Sequence, residues 1–136
     1  MNGPVLTAVV LSYDGRELLE GLMPSLAGQR LREMRIVVVD NGSSDDTVTW
    51  LAREWPDVDV VSLPRNVGVT RALNVCLGVA ETEFVALLNN DLELDPACLG
   101  ELVAALRAHP EAASAGGKLL DFHERDVIDG AGDVFE

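Results

Sequence analysis

The chain predicts an α/β fold, a doubly wound and mostly parallel sheet flanked by helices. Three observations point there. Four apolar runs have strand length: Val5–Leu11, Ile36–Val39, Val58–Leu63 and Phe84–Leu88. The first, second and fourth are nearly continuous, without the polar alternation of a half-exposed strand, so they read as strands covered on both faces. Segments of helical period lie between and after them, giving the order β-α-β-α-β-α-β-α of a doubly wound sheet.

The elements follow in order. After the first strand, Arg16–Leu31 carries Leu18, Leu19, Leu22, Met23 and Leu26 at helical spacing, with Pro24 expected to kink or shorten it. After the second, Ser44–Trp55 opens on a Ser/Asp cluster suited to capping and continues through Val48, Leu51, Ala52 and Trp55. Val69–Ala80 places Ala72, Leu73, Val75, Cys76 and Val79 on a helical face. Asp95–Ala108 begins with an N-cap aspartate followed by proline at the first helical position, then Leu99, Leu102, Val103 and Leu106. A fifth short strand is expected through Ala112–Ala115. The stretch Lys118–Glu136 is acid-rich and completes no clear element.

The 136 residues suit one domain, and a hydrophobic content of 48% supports a real core. Aromatic residues make up only 4%, so that core is aliphatic. No apolar run approaches the roughly 20 residues that span a bilayer, and no N-terminal stretch has the order of a secretion signal. These features give the expectation of a cytoplasmic protein with no transmembrane segment. The formal charge is −13, and Lys118 is the only lysine beside nine arginines. Such a surface repels nucleic acid. A small anion needs a local device to bind: a metal, a helix N-terminus or one arginine. Cys76 and Cys98 match no metal or disulfide spacing and read as small buried hydrophobes.

In open α/β sheets, ligands bind at the carboxyl ends of the strands, so the polar residues that end each run are the candidates. Ser12-Tyr13-Asp14-Gly15 ends the first; Tyr13 is either a stacking platform for a base or sugar or a surface residue beside a turn. The second ends in Asp40-Asn41-Gly42-Ser43-Ser44-Asp45-Asp46-Thr47. Capping explains Ser43 to Asp46, whereas Asp40, at the tip of a central strand, suits a base N–H or ribose hydroxyl. Arg65-Asn66-Val67-Gly68-Val69-Thr70-Arg71 reads as a glycine-opened helix start that either favours phosphate, with Arg71 adding charge, or is an ordinary loop. The fourth run stops on Asn89-Asn90-Asp91, where one carboxylate plus phosphate oxygens suits Mg²⁺ or Mn²⁺.

Taken together, Val9-Val10-Leu11-Ser12-Tyr13, Val37-Val38-Val39-Asp40-Asn41-Gly42-Ser43-Ser44-Asp45, Asn66-Val67-Gly68 and Leu88-Asn89-Asn90-Asp91 resemble the family 2 glycosyltransferases of GT-A fold, nearest to the rhamnosyltransferase-like branch. Gly117-Lys118-Leu119-Leu120-Asp121 and Ile128-Asp129-Gly130-Ala131-Gly132 resemble that branch as well. The resemblance implies transfer of a sugar from a nucleotide diphosphate to an acceptor hydroxyl, with inversion. It implies that Tyr13 and Asp40 hold the nucleoside, that Ser12, Asn66, Gly68, Arg71 and Asn90 line the donor pocket, and that Asp91 binds the metal bridging the diphosphate. A UDP- or dTDP-sugar donor and a saccharide or lipid-linked acceptor follow in the same way. The family's general base comes from an acceptor-binding half, so residues 1–136 read as one donor-binding domain that stops before it. None of Asp121, Asp126, Asp129 or Asp133 is assigned as the base.

Other classes compete. A non-catalytic nucleotide-sugar binding or scaffold module shares the fold and the donor site. A receiver-type signalling domain requires an acidic pair after the first strand and a phosphoacceptor aspartate after the third; here Asp14 stands alone and the third run ends in Leu63-Pro64. A nucleotidyltransferase requires a glycine-rich basic loop that Tyr13-Asp14-Gly15-Arg16-Glu17 does not supply.

Overall fold

A computed structural model describes residues 3–131. The elements run β1 (Leu6–Ser12), α1 (Arg16–Ala27), β2 (Met34–Asp40), α2 (Thr47–Glu54), β3 (Asp59–Ser62), α3 (Val69–Gly78), β4 (Phe84–Asn89), α4 (Cys98–Ala108), β5 (Leu119–Leu120) and β6 (Ile128–Gly130). The main sheet has the order β3-β2-β1-β4 with every pair parallel. In register, Ser12 lies beside Asp40 and Leu11 beside Asn89, so the polar strand ends form one row. This is the doubly wound arrangement the apolar runs predict.

The two faces are unequal. On one, α1, α2 and α4 bring Leu19, Leu22, Met23, Leu26, Trp50, Leu51, Leu99 and Val103 against Leu6, Ala8, Val10 and Val38. On the other, α3 alone covers Val9, Val37 and Val39, with Cys76 at the centre of the contact. One helix of 10 residues cannot shield four strands. The expectation that β4 is covered on both faces is therefore corrected. Along β4, half-buried and exposed residues alternate, and Val85 (39%) and Leu87 (45%) face outward.

The helix boundaries differ from the sequence expectation for identifiable reasons. Pro24 sits inside α1 without breaking it, but the helix closes at Ala27, where the Gly28 N–H reaches Pro24 O at 3.0 Å. α2 starts at Thr47 rather than Ser44, because the N–H groups of Ser44 and Asp45 go to the side chain of Asp14, 2.6 and 3.2 Å away. α4 starts at Cys98 rather than Asp95; Asp95 instead closes a turn, its Oδ1 accepting the Ala97 N–H at 2.8 Å. Residues 112–115 form no strand and lie exposed; the Ala112 N–H goes to His109 O at 2.9 Å, closing the end of α4. The acid-rich stretch forms the small antiparallel β5–β6 hairpin instead, pairing Leu119 with Gly130. Gly132 and Asp133 lie outside the described residues.

Candidate functional site

Three loops and one strand end meet at the carboxyl edge of the sheet. β1 delivers Ser12 into the interior (1% exposed) and leaves Tyr13 half-exposed on the rim. Asp40, at the tip of β2, is as buried as Ser12. A buried carboxylate needs partners. Asp40 finds them in its own loop: the Ser43 N–H donates to Oδ2 at 3.1 Å, and the Ser43 hydroxyl donates to Oδ1.

Asn41, which the sequence reading did not single out, stitches this loop to the β3–α3 connection. Its backbone N–H donates to Ser12 O at 2.8 Å. Its side chain accepts from Val67 N–H at 3.0 Å and donates to Asn66 Oδ1 at 3.2 Å. Asn66 Oδ1 also accepts the Gly68 N–H at 2.8 Å, so Asn66 shapes the loop as well as facing the site. Gly42 makes the close approach possible. Its φ is +76°, and a Cβ there would lie 2.6 Å from Asn66 N. Gly68 opens α3 with φ +83° and ψ 162°, a region essentially reserved for glycine. It is that conformation, not lack of space, that requires glycine, since nothing lies within 4 Å of its Cβ position. Arg71, one turn into α3, is exposed and takes part in none of the ion pairs among the described residues.

On the β4 side, Asn90 Nδ2 donates to Ser12 Oγ at 3.1 Å. Gly15 clears room for that bond; a Cβ there would lie 2.6 Å from Ser12 Oγ. Asp91 follows, exposed and outside every ion pair among the described residues. A groove of about 180 Å³ runs beside it, lined by Leu18, Gly21, Leu92 and Phe122 with Glu17 and Glu93. Beyond it the chain is anchored. Gln29, wholly buried at the end of α1, donates to Asp95 O at 2.7 Å and accepts the Leu99 N–H at 3.0 Å. Ser25 Oγ accepts the Leu94 N–H at 3.1 Å, and Arg30 N–H donates to Pro96 O at 2.8 Å. Arg125 grips Glu93 through both guanidinium nitrogens at 2.8 and 2.9 Å, and those bonds hold the Glu93 carboxyl below its ordinary pKa.

No three His, Cys, Asp or Glu side chains gather to hold a metal among the described residues. That does not conflict with Asp91 as a metal ligand. One exposed, uncommitted carboxylate fits a divalent ion whose other ligands are phosphate oxygens and water, the mode typical of Mg²⁺.

The parallel sheet flanked by helices, with its row of polar strand ends and the glycine-opened α3, is an α/β domain of GT-A arrangement. The chain matches Glycosyl transferase family 2 over residues 7–131 and belongs to that family. Among solved structures it resembles Staphylococcus aureus TarS 1–349 in complex with UDP-GlcNAc, with a TM-score of 0.69 and 29% identity, covering 77% of this chain and 32% of that one. It also resembles the mannosyltransferase PcManGT from Pyrobaculum calidifontis in complex with GDP-Man and Mn²⁺, with a TM-score of 0.67 and 26% identity, covering 78% of this chain and 33% of that one. The N-acetylglucosaminyl-diphospho-decaprenol L-rhamnosyltransferase of Mycobacterium tuberculosis is 25% identical over 128 residues, 86% of this chain and 42% of the relative. The chain thus spans less than half the length of each of these. Among the described residues no helix is long and apolar enough to cross a membrane.

Proposed function

We propose that this domain binds the nucleotide-diphosphate sugar of an inverting glycosyl transfer, with UDP- or dTDP-sugar as donor and a saccharide or lipid-linked alcohol as acceptor. The observation that carries the reading is the convergence of Ser12, Tyr13, Asp40, Asn66, Gly68, Asn90 and Asp91 on one sheet edge in a member of this family. The cytoplasm, where such donors are made, is the proposed compartment.

Each residue has a role its surroundings permit. Tyr13, half-exposed on the rim, offers a ring face to the base. Asp40 keeps acceptor capacity beyond its two bonds to Ser43 and takes a base or ribose hydrogen. Gly68 lets the backbone at the start of α3 approach the diphosphate, where helix N–H groups and Arg71 favour negative charge. The Ser12–Asn90 bond joins the nucleoside side to the metal side. Asp91 is the residue proposed to hold Mg²⁺ or Mn²⁺ against the diphosphate; the ion, when bound, supplies Lewis-acid stabilisation of the leaving nucleoside diphosphate. The low basic content of the chain makes that positive charge matter more.

Calorimetric titration with UDP, dTDP and GDP, each with and without Mn²⁺, tests the proposal. One nucleotide should bind in a metal-dependent way, and Asp91→Ala should remove the metal dependence while leaving thermal stability unchanged. Equal affinity in Asp91→Ala and the parent chain would remove Asp91 from the site. Binding of no nucleotide would overturn the donor-site reading for this chain.

A further inference from the structure

Asp14 is the one non-glycine residue among those described with a left-handed backbone, at φ +44°. Strain of this kind persists only where the surroundings over-determine it, and it is concentrated at functional sites. The surroundings here are specific. The Asp14 N–H donates to Ser43 Oγ at 2.9 Å, and that same hydroxyl donates to the carboxylate of Asp40. The Asp14 carboxylate reaches in the opposite direction. Its Oδ1 accepts the N–H groups of Ser44 at 2.6 Å and Asp45 at 3.2 Å, and the Ser44 hydroxyl donates to it as well. Ser44 is 30 residues away in sequence. Asp14 thereby ties the turn after β1 to the loop after β2 through both its backbone N–H and its side chain, beside the bonds of Arg16 to Asp45 and Asp46. Tyr13 stands immediately before the strained residue, and Asp40 is at the other end of the relay.

We propose that Asp14 is a positioning residue for nucleoside recognition, fixing Tyr13 and Asp40 relative to one another so that the ring face and the carboxylate act on one base. This rests on the donor-site reading given above and adds a residue that touches no ligand in it. A helix-capping role alone explains the bonds to Ser44 and Asp45. It does not explain the left-handed backbone, nor the hydroxyl of Ser43 shared between Asp14 and Asp40.

Three variants separate the backbone from the carboxylate. Asp14→Asn keeps the Oδ1 acceptor and a side chain tolerant of the left-handed region. Asp14→Gly keeps the backbone and deletes the acceptor, and Asp14→Ala loses both. Titrations with UDP and with inorganic pyrophosphate, each with Mn²⁺ and well below the melting temperature, supply the readout. UDP affinity should fall tenfold or more in the Gly and Ala variants and stay within about twofold in the Asn variant. Pyrophosphate affinity should stay within about twofold in all three. Val103→Ala, a core variant on α4, which carries none of the proposed site residues, serves as the stability control and should leave UDP affinity unchanged. A Gly variant that binds UDP like the parent chain would overturn the proposal, as would parallel losses for UDP and pyrophosphate, or an Asn variant as weak as the Gly variant. A parent chain that binds no UDP, dTDP or GDP would instead overturn the donor-site reading, and this inference with it.

Discussion

β2 and β4 carry the two strand-end carboxylates of this molecule, and they are built in opposite ways. β2 lies inside the sheet between β1 and β3, with Val37, Val38 and Val39 fully buried, and it ends in a carboxylate that the protein itself engages. β4 is an edge strand with Val85 and Leu87 exposed, and it leads to Asp91, which forms no ion pair with any described residue. In the proposed function the difference separates two tasks. A group that selects a base must be rigid before the ligand arrives, and burial with the two bonds from Ser43 provides that. A group that shares a cation with a phosphate needs a free charge in reach of water and ligand. Its loop is held from behind instead, by Gln29 and Ser25.

The sharpest way to break the rigid side is at Gly42. Alanine there meets both a positive φ and the backbone of Arg65 and Asn66. Gly42→Ala should destabilise the fold by about 3 kcal/mol or more, since strained backbone alone costs about 1–3 kcal/mol, and overlap adds to it. Urea denaturation measures this; a loss below about 1 kcal/mol would mean that the loops after β2 and β3 are not locked together. Next in size is the contrast between the strands themselves. Val38→Ala should cost about 2 kcal/mol, near the low end of large-to-small core substitutions. Leu87→Ala, removing a larger but half-exposed side chain, should cost under about 1 kcal/mol. Equal losses in the isolated chain would contradict the open face of β4.

The same contrast explains what could be read from sequence. The four main strands and the places of Asp40 and Asp91 at or just past strand ends were legible because an apolar run that stops on a polar residue is a local signal. Asn41, Asp14 and Gln29 were not legible as organisers, because their partners are distant: Val67 is 26 residues from Asn41, Ser44 is 30 from Asp14, and Leu99 is 70 from Gln29. The late start of α2 has the same cause. Its Ser/Asp cluster reads as a local cap, but a carboxylate from another turn takes two of the N–H groups. The open face of β4 was missed because a continuous apolar run shows that a strand is apolar without showing what covers each side.

The strand-end carboxylates should also differ as structural groups. Asp40→Ala removes a buried carboxylate and leaves the half-buried Ser43 N–H and hydroxyl without their acceptor, so it should cost about 1 kcal/mol or more, the scale of a lost hydrogen bond. Asp91→Ala removes an exposed group and should stay within about 0.5 kcal/mol of the parent chain, as surface substitutions do. Thermal melts of the two variants side by side would show this, and similar losses would place Asp91 in the hydrogen-bonded scaffold rather than on its free rim.

The smallest expected effect is a dependence on acid, and it belongs to the β2 side. Burial pushes the Asp45 carboxyl up, but hydrogen bonds from the Thr47 hydroxyl and N–H and from the Arg16 N–H, with the Arg16 charge, outweigh it and leave the pKa below its ordinary 3.8. A carboxyl whose pKa is lower when folded binds its proton more readily in the unfolded chain, so its contribution to stability is complete above the ordinary value and is lost as pH falls through and below it. Most of this group is open to solvent, so the contribution is small. Asp45→Asn should therefore leave a melting profile that differs slightly from the parent at pH 6 and draws closer to it as pH falls below the ordinary 3.8. Thr47 begins α2, and both its N–H and its hydroxyl donate to Asp45 Oδ1, so amide exchange at Thr47 should accelerate over the same interval. Convergence with unchanged exchange at Thr47 would assign the acid sensitivity to another carboxylate, with Asp121 the next to check, since the N–H groups of Glu124 and His123 lower its pKa in the β5–β6 hairpin.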